Sequence, residues 1–471
     1  MTRGLMKSTS CFAIAAAAGL FATSAMAADL GGNCCADLEE RVAELEATAA
    51  RKGNRKVSLT VYGQVNEAIL FWDDGEDSNA YIVDNNVSRT RFGFRGEAAI
   101  NSDLTAGYLL EIGVRFASSS GRNQLATGAG GDSNTFDIRH SAWYLQSKRL
   151  GSIWLGETST ATDGITEINL ANTGVVAGND PGNWVGGFIH RSKSGGLLAT
   201  YTNGKVDKSL TWSDTRPYWN WNAGEGDRRN VIKYVTPTFA GFSVSAAWGE
   251  DDFWDVALRY AGEFNGVRVA AGIGYQKLTD FNQTADGSNG CANLGLADRY
   301  LAHPDVDCHA VGMSASIMHM PTGLFVSGSY GWVEDDNRQA LFDAALNPDI
   351  DVDDRDKHWY VVAGIEKNFF GIGNTTIYGE YFRGEAGAAI VSGSSGTGLP
   401  KTVSGLYITD SEVDIWGFGL VQTIDAAAMD LYVGYRNFSP DVRTYDSKTR
   451  RHGKLDLEDF QAVMAGALIK F

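Results

Sequence analysis

Leu104–Phe116 reads LTAGYLLEIGVRF, and the fold turns on its alternation. Leu104, Ala106, Tyr108, Leu110, Ile112, Val114 and Phe116 make one apolar face; Thr105, Gly107, Glu111, Gly113 and Arg115 line the other. At a rise of ~3.4 Å per residue such a stretch extends over ~40 Å. That exceeds the usual strand of a globular sheet and suits a strand crossing a bilayer at a tilt.

The same period of two recurs at both ends of the chain. Val57, Leu59, Val61, Val65, Ile69 and Phe71 share one side; Ser58, Thr60, Tyr62, Gln64 and Asn66 share the other, with Glu67 breaking the pattern. Val463, Ala465, Ala467, Ile469 and Phe471 alternate with Ala462, Met464, Gly466, Leu468 and Lys470. Strands cross a membrane only in a sheet without a free edge. Phe471 is therefore read as closing a barrel against the first strand.

The connections alternate in length. Short turns lie near Asn101-Ser102, Arg149 to Gly151, Pro237 to Gly241, Asn265-Gly266, Pro321-Thr322, Gly371-Ile372 and Ala426-Ala427. Longer polar segments lie at Trp72–Val87, Ala117–Asn134, Ser159–Asp227, Leu278–Cys308, Glu334–Arg355, Glu385–Ser411 and Ser439–Glu458, with Gly249–Asp252 as a short member of that set. Seven short turns and eight outer loops predict an all-β, antiparallel transmembrane barrel of about sixteen strands with both termini on the short-turn side. Segments Gly196–Tyr201 and Val206–Trp212 resemble a hairpin around Asn203-Gly204. They are placed inside the third loop, because counting them as wall would break the alternation.

The N-terminus reads as an export signal: Arg3 and Lys7, an apolar run from Cys11 to Phe21, then Ala25-Met26-Ala27 of small-x-small form. Cleavage is expected after Ala27, leaving a prefix over 28–56 and a barrel over 57–471. No later run reaches the ~18 to 20 apolar residues of a spanning helix. Within the prefix, Leu38, Val42, Leu45 and Ala49 have heptad spacing, read either as a short periplasmic coiled coil or as a solvated or barrel-plugging helix.

The 56 Gly, 8 Pro and 11% aromatic content suit long strands with aromatic girdles. The net charge is -17, and -19 once Arg3 and Lys7 leave with the signal, which argues against a nucleic-acid partner.

Function in a porous barrel lies in the charges at its narrowest point. In Ser88–Ile100, Phe92 and Phe94 point outward, so Arg89, Arg91 and Arg95 share the lumen face. A charge at the lipid midplane costs ~2 to 4 kcal/mol, so these arginines must meet water. The same parity puts Arg115, Arg139, Arg259, Arg268 and Arg436 inside. The third loop supplies Asp163, Glu167 and Asp180 among small and apolar residues. Acids on the loop opposite arginines on the wall would set a transverse field at a constriction.

Cys291 and Cys308 are candidates for a disulfide in the fifth outer loop; Cys34 and Cys35, being adjacent, are strained as a mutual pair. His303, Asp305, Asp307 and His309 have metal-ligand types, and Asp349, Asp351 and Asp353 have calcium-loop spacing. The latter lacks Gly at the sixth position and Glu at the twelfth. No metal or cofactor is expected, and no nucleophile elbow, phosphate loop or zinc-protease motif occurs.

The chain resembles the outer-membrane porins of α-proteobacteria, of rhizobial type. The resemblance covers nearly the whole chain and rests on Cys34–Arg41 (CCADLEER), Val57–Gln64 (VSLTVYGQ), Ser88–Gly96 (SRTRFGFRG), Tyr234–Phe242 (YVTPTFAGF) and Phe471. It implies a homotrimeric sixteen-stranded general-diffusion channel in the outer membrane, among lipids and lipopolysaccharide, passing small hydrophilic solutes and ions. It also implies that the third loop folds inward, and it extends the eyelet role to Asp163, Glu167, Arg89, Arg91 and Arg95. A sugar- or anion-specific channel is the competing reading, with Trp212, Tyr218, Trp219 and Trp221 as an aromatic slide. A hydrolase would need His190, Ser192 and Asp180 to converge, and none is expected.

Overall fold

The computed structural model describes residues 56–125, 135–202, 205–215, 222–249, 252–279, 307–336, 353–387, 406–446 and 449–471. The expected signal, the heptad prefix, Cys34, Cys35, Cys291, Tyr218, Trp219, Trp221, His303, Asp305, Asp349 and Asp351 lie outside the described residues.

Sixteen wall strands pair antiparallel in chain order: β1 Thr60–Asp73, β2 Arg91–Ala99, β3 Leu104–Arg115, β4 Thr135–Ser147, β5 Gly151–Ser159, β6 Arg228–Val235, β7 Phe242–Gly249, β8 Trp254–Phe264, β9 Val267–Leu278, β10 Cys308–His319, β11 Leu324–Asp335, β12 Arg355–Lys367, β13 Thr375–Ala386, β14 Leu406–Ile424, β15 Met429–Asp446 and β16 Phe460–Lys470. The ring closes where β1 pairs with β16, from Gln64↔Lys470 to Asp73↔Gln461. Gly63 and Phe471 complete the seam by exchanging backbone hydrogen bonds of 3.0 Å in each direction. Among the described residues the sixteen wall strands thus form a closed ring, as a membrane barrel requires.

Outward positions are apolar and open, for example Val61, Val65 and Ile69 on β1 and Ile469 on β16. Inward positions on the same strands alternate with them. The lumen face of β16 is itself apolar: Ala462, Met464 and Leu468 are buried. Period two shows that the two faces differ, but it does not show that a loop covers the inner one.

The second wall strand departs from the sequence expectation. It begins at Arg91 rather than Ser88. β2 pairs only with the inner half of β1, Thr60↔Arg95 to Gln64↔Arg91. The outer half of β1 pairs with Ser78–Asp84, a strand in a segment read as polar loop. Between them residues 85–90 leave the wall through the 3-10 turn Asn86–Ser88, whose Asn85 side chain accepts from the Val87 N–H at 3.0 Å. β14 and β15 also run further outward than expected, to Leu406 and Asp446, and Arg451–Leu455 adds a strand beside β15. Ala199–Thr202 and Lys205–Ser209 pair with each other and with no wall strand, so the hairpin belongs to the third loop.

Candidate functional site: the lumen and its third loop

The third loop enters the barrel because its apolar residues find a dry seat there. Ile165 and Ile189 are buried, and Val176, Trp184, Val185 and Phe188 form a core inside the lumen with Trp72, Phe438, Phe460 and Met464. Phe188 lies 4.9 Å from Phe460 and 5.4 Å from Trp72, centroid to centroid, spacings favourable for aromatic pairs.

Wall polar groups hold the loop's backbone along a long arc. The Thr162 N–H and hydroxyl donate to Asp255 Oδ2 at 2.7 Å. Arg259 donates to the carbonyls of Ala161 at 2.8 Å and Asp163 at 2.9 Å. The Ile168 and Leu170 N–H groups reach Ser314 and Ser316 at 3.2 and 3.0 Å. Asn172 donates to Glu366 at 2.6 Å and Asp430 at 2.8 Å. These anchors run from β8 to β15, so loop peptide groups that water would otherwise satisfy are paired.

Wall glycines make room for this contact. A Cβ at Gly272 would stand 2.7 Å from Ile165 Cδ1 and 2.8 Å from Ile168 Cδ1, and one at Gly312 would meet the Gly224 backbone. The returning end of the loop is tied to its beginning by Glu225. This carboxylate accepts from the N–H groups of Gly164, Ile165 and Thr166 and from the Thr166 hydroxyl. Burial, then the nearby Glu167 and Asp163, push the Glu225 carboxyl well above the usual carboxylate range, against the pull of its Thr166 donors.

The arc the loop leaves uncovered, on β2 to β6, carries the charges. Arg89, in the break before β2, pairs with Asp137 at 2.6 Å. Arg91 lies 3.8 Å and Arg139 2.6 Å from Glu111, which also accepts from the Tyr62 hydroxyl at 2.9 Å. Arg95 lies over the Tyr62 ring at 5.5 Å. A register shift between Glu111 and Ile112 leaves Arg139 as an extra residue on β4, a bulge that re-aims a side chain. Gly113 is the space this cluster needs: a Cβ there would press on Asp137 and approach Arg139 Cδ to 3.2 Å and Arg89 Cζ to 3.3 Å.

Of the residues singled out from sequence, Arg89, Arg91 and Arg95 thus meet wall partners, while Asp163 and Glu167 sit on the loop near Arg139 and Arg228. Barrel crowding, then the like charge of Asp163, raise the Glu167 carboxyl to about 7, against Arg228 and Arg139, which lower it. Its side chain is open to lumen water, which screens part of that rise. Asp180 turns to Asn183, accepting its side-chain amide at 3.0 Å. Alternation places Glu111 on the inner face, and its pairing with Arg91 and Arg139 makes it part of the site; Asp137 and Arg228 are additions, and Asp137 sits at inward parity on β4, so alternation alone could have found it.

The hydrolase candidates do not converge. His190 is buried with Nε2 2.9 Å from Thr215 Oγ1, and burial lowers its pKa to about 3. Ser192 instead pairs with Ser194 at 2.9 Å. Trp212 is packed on His190, Phe438 and Phe460 rather than lining a solute path. Cys308 is buried at the head of β10.

The sequence model of a Gram-negative porin family matches residues 13–443. A chitoporin from Vibrio furnissii is 23% identical over 301 residues, covering 60% of this chain and 68% of that protein. Among solved structures, the anion-selective porin from Comamonas acidovorans matches with a TM-score of 0.51 at 15% identity, covering 88% of this chain and all of the other, 100%. At that identity the likeness concerns the fold.

Proposed function

The chain belongs to the Gram-negative porin family, and from that premise we propose how its lumen selects what passes. The protein is a passive outer-membrane channel, and family and fold place it with channels rather than enzymes. Small hydrophilic solutes and ions cross between the third loop and the wall arc of β2 to β6. Asp163 and Glu167 supply the negative side of the eyelet, with Asp180 adding charge further along the loop. Arg139 and Arg228 face them, backed by Arg89, Arg91 and Arg95. What carries this reading is the placement of Glu167, open to the lumen on a fixed loop and within electrostatic reach of both Arg139 and Arg228. Opposed charges across a narrow passage orient dipolar solutes and penalise large apolar ones.

The relation to α-proteobacterial members, the homotrimer and the surrounding lipopolysaccharide are parts of the same proposal, as is a Cys291–Cys308 disulfide closing the fifth outer loop. A second reading is an anion- or sugar-selective channel. The relatives' names point that way, and the inward arginines on β2 to β4 favour anions.

Swelling of liposomes containing the refolded protein tests the proposal. Uptake should fall smoothly with solute size for uncharged sugars and show no saturation. Saturable uptake of one sugar class, or a steep preference for anionic solutes of equal size, would establish the selective channel instead.

A further inference from the structure

The inward rings of Trp72, Phe438 and Phe460 are buried under the third loop. On the uncovered arc, Tyr62, Tyr144 and Trp154 are only half-buried and meet lumen water. Their neighbours fix the direction. Val61, Trp143, Leu145, Ile153 and Leu155 are exposed on the outward side, so period two turns these three rings inward. The aromatic girdles of a membrane barrel face lipid, and that role does not account for them.

The rings form a shelf. Tyr144 stands opposite Gly107 in register, Trp154 opposite Tyr144, and Lys233 opposite Trp154. Each side chain leans over the strand before it. A Cβ at Gly107 would collide with Cζ and Oη of Tyr144, so glycine is what lets that ring lie down on the wall. Trp154 stacks on Tyr144 at 4.3 Å between centroids and 27° between planes, and its indole N–H donates to Ser152 Oγ at 3.1 Å. Tyr62 repeats the arrangement over Gly93, where a Cβ would stand 2.7 Å from its Cζ. All three rings lie near the short-turn ends of their strands, on that side of the eyelet.

The cations of the shelf are not neutralised. Lys233 Nζ lies 5.8 Å from the Trp154 ring centre and donates to the Ser159 carbonyl at 2.5 Å, which leaves donors to spare. Arg95 lies over Tyr62. Among the described residues neither has a carboxylate at salt-bridge distance, unlike Arg89, Arg91 and Arg139. Glu97, exposed on the inward face of β2, stands opposite Gly107, beside the hydroxyl end of Tyr144. An open ring face flanked by a few polar groups suits a cyclic solute. An unpaired ammonium at one edge suits one bearing a carboxylate, and an acid at the other suits a hydroxyl donor.

We propose that this shelf binds a sugar acid in its cyclic form: the pyranose ring lies on Trp154 and Tyr144, its carboxylate meets Lys233, and Glu97 accepts from a ring hydroxyl. Arg95 keeps the arc positive and draws the anion along it. One face of the solute stays in water, so it pauses at the shelf without being captured. Neutral sugars lack the group for Lys233 and pass without pausing. The inference rests on the lumen being a solute path.

Saturation-transfer NMR of the full protein, refolded in detergent micelles, reads binding directly with glucuronate, glucose, gluconate and benzoate as probes. Glucuronate has both ring and charge; glucose lacks the charge, and open-chain gluconate lacks the ring. Wild type should bind glucuronate most strongly. Trp154→Ala should weaken that binding about tenfold, and Lys233→Gln about fivefold, to the level of glucose. Trp154→Phe, which keeps a ring face, should retain most of it. Gluconate bound as well as glucuronate, benzoate bound better, or undiminished binding by Trp154→Ala overturns the proposal. If Trp154→Ala fails to refold, Trp154→Leu, which keeps bulk without a flat face, gives the same reading. In a planar bilayer glucuronate should add current noise to wild type and not to the Trp154 variant. Conduction without glucuronate binding would overturn the shelf alone. Binding by a wild-type protein that does not conduct would count against the channel and not against the shelf.

Discussion

Arg436 and Glu380 form a two-point ion pair beneath the third loop, Nε to Oε1 and Nη2 to Oε2 each at 2.8 Å, with both side chains almost wholly buried. The same guanidinium donates to the Gly178 carbonyl at 2.8 Å and lies 4.9 Å from the Trp184 ring centre. Tyr360 completes the group by donating to Glu380 at 2.8 Å. The wall thus adds a buried charged cluster to the anchors that hold the loop.

Removing one partner leaves an uncompensated buried charge, which costs ~3 to 5 kcal/mol. Arg436→Leu should therefore lower the temperature at which the folded band is lost on a semi-native gel and make the open-channel current noisier. Arg436→Leu/Glu380→Leu should recover most of the thermal loss. Equal losses in the single and double variants would show that the pair is not what anchors the loop.

A pH response follows from Glu167, whose carboxyl is raised to about 7. Protonation removes one negative charge from the eyelet. Cation preference should therefore be full above pH 8 and decline as the pH falls below 7 toward the ordinary carboxylate range. Reversal potentials in a salt gradient at pH 8.5 and 5.5 measure the shift, and Glu167→Gln should show the low-pH value at both. An unchanged reversal potential in wild type would place Glu167 outside the conduction path.

The glycine seat predicts a gain of conductance by a small change on the wall. Gly272→Val puts branched carbon where Ile165 and Ile168 now pack, and overpacking typically costs ~1 to 3 kcal/mol. The loop should lift locally, raising single-channel conductance without preventing barrel assembly. Gly379→Val, where an added Cβ meets little besides the Gly417 carbonyl at 3.8 Å, serves as the comparison and should conduct normally.

The barrel was legible because membrane strands must alternate and because short and long connections must alternate too. Leu104 to Phe116 and the closing strand at Phe471 show both faces directly. The inner architecture was not legible for a different reason. Ala462, Met464 and Leu468 on β16 look lipid-ready, yet they face the lumen under Phe188 and Trp184, and nothing local says which apolar face a loop will cover. Ser78–Asp84 is polar enough to resemble a loop, and only β1 makes it a strand. The Arg89–Asp137 pair spans 48 positions, so residue type could suggest it but spacing could not.

Selectivity should respond oppositely to two neighbours on β4. Asp137→Asn removes an acid from the uncovered arc and frees Arg89, so the reversal potential should move toward anions. Arg139→Gln removes a cation facing Glu167 and should move it toward cations. Shifts of the same sign would contradict the arrangement of the arc.

The most direct test of the channel and its eyelet is single-channel recording in a planar bilayer, with reversal potential in a salt gradient, for wild type and Asp163→Asn/Glu167→Gln. The account predicts ohmic steps from both proteins and a reversal potential displaced toward anions in the variant. Correctly inserted barrels that give no steps, or two proteins with the same reversal potential, would contradict it.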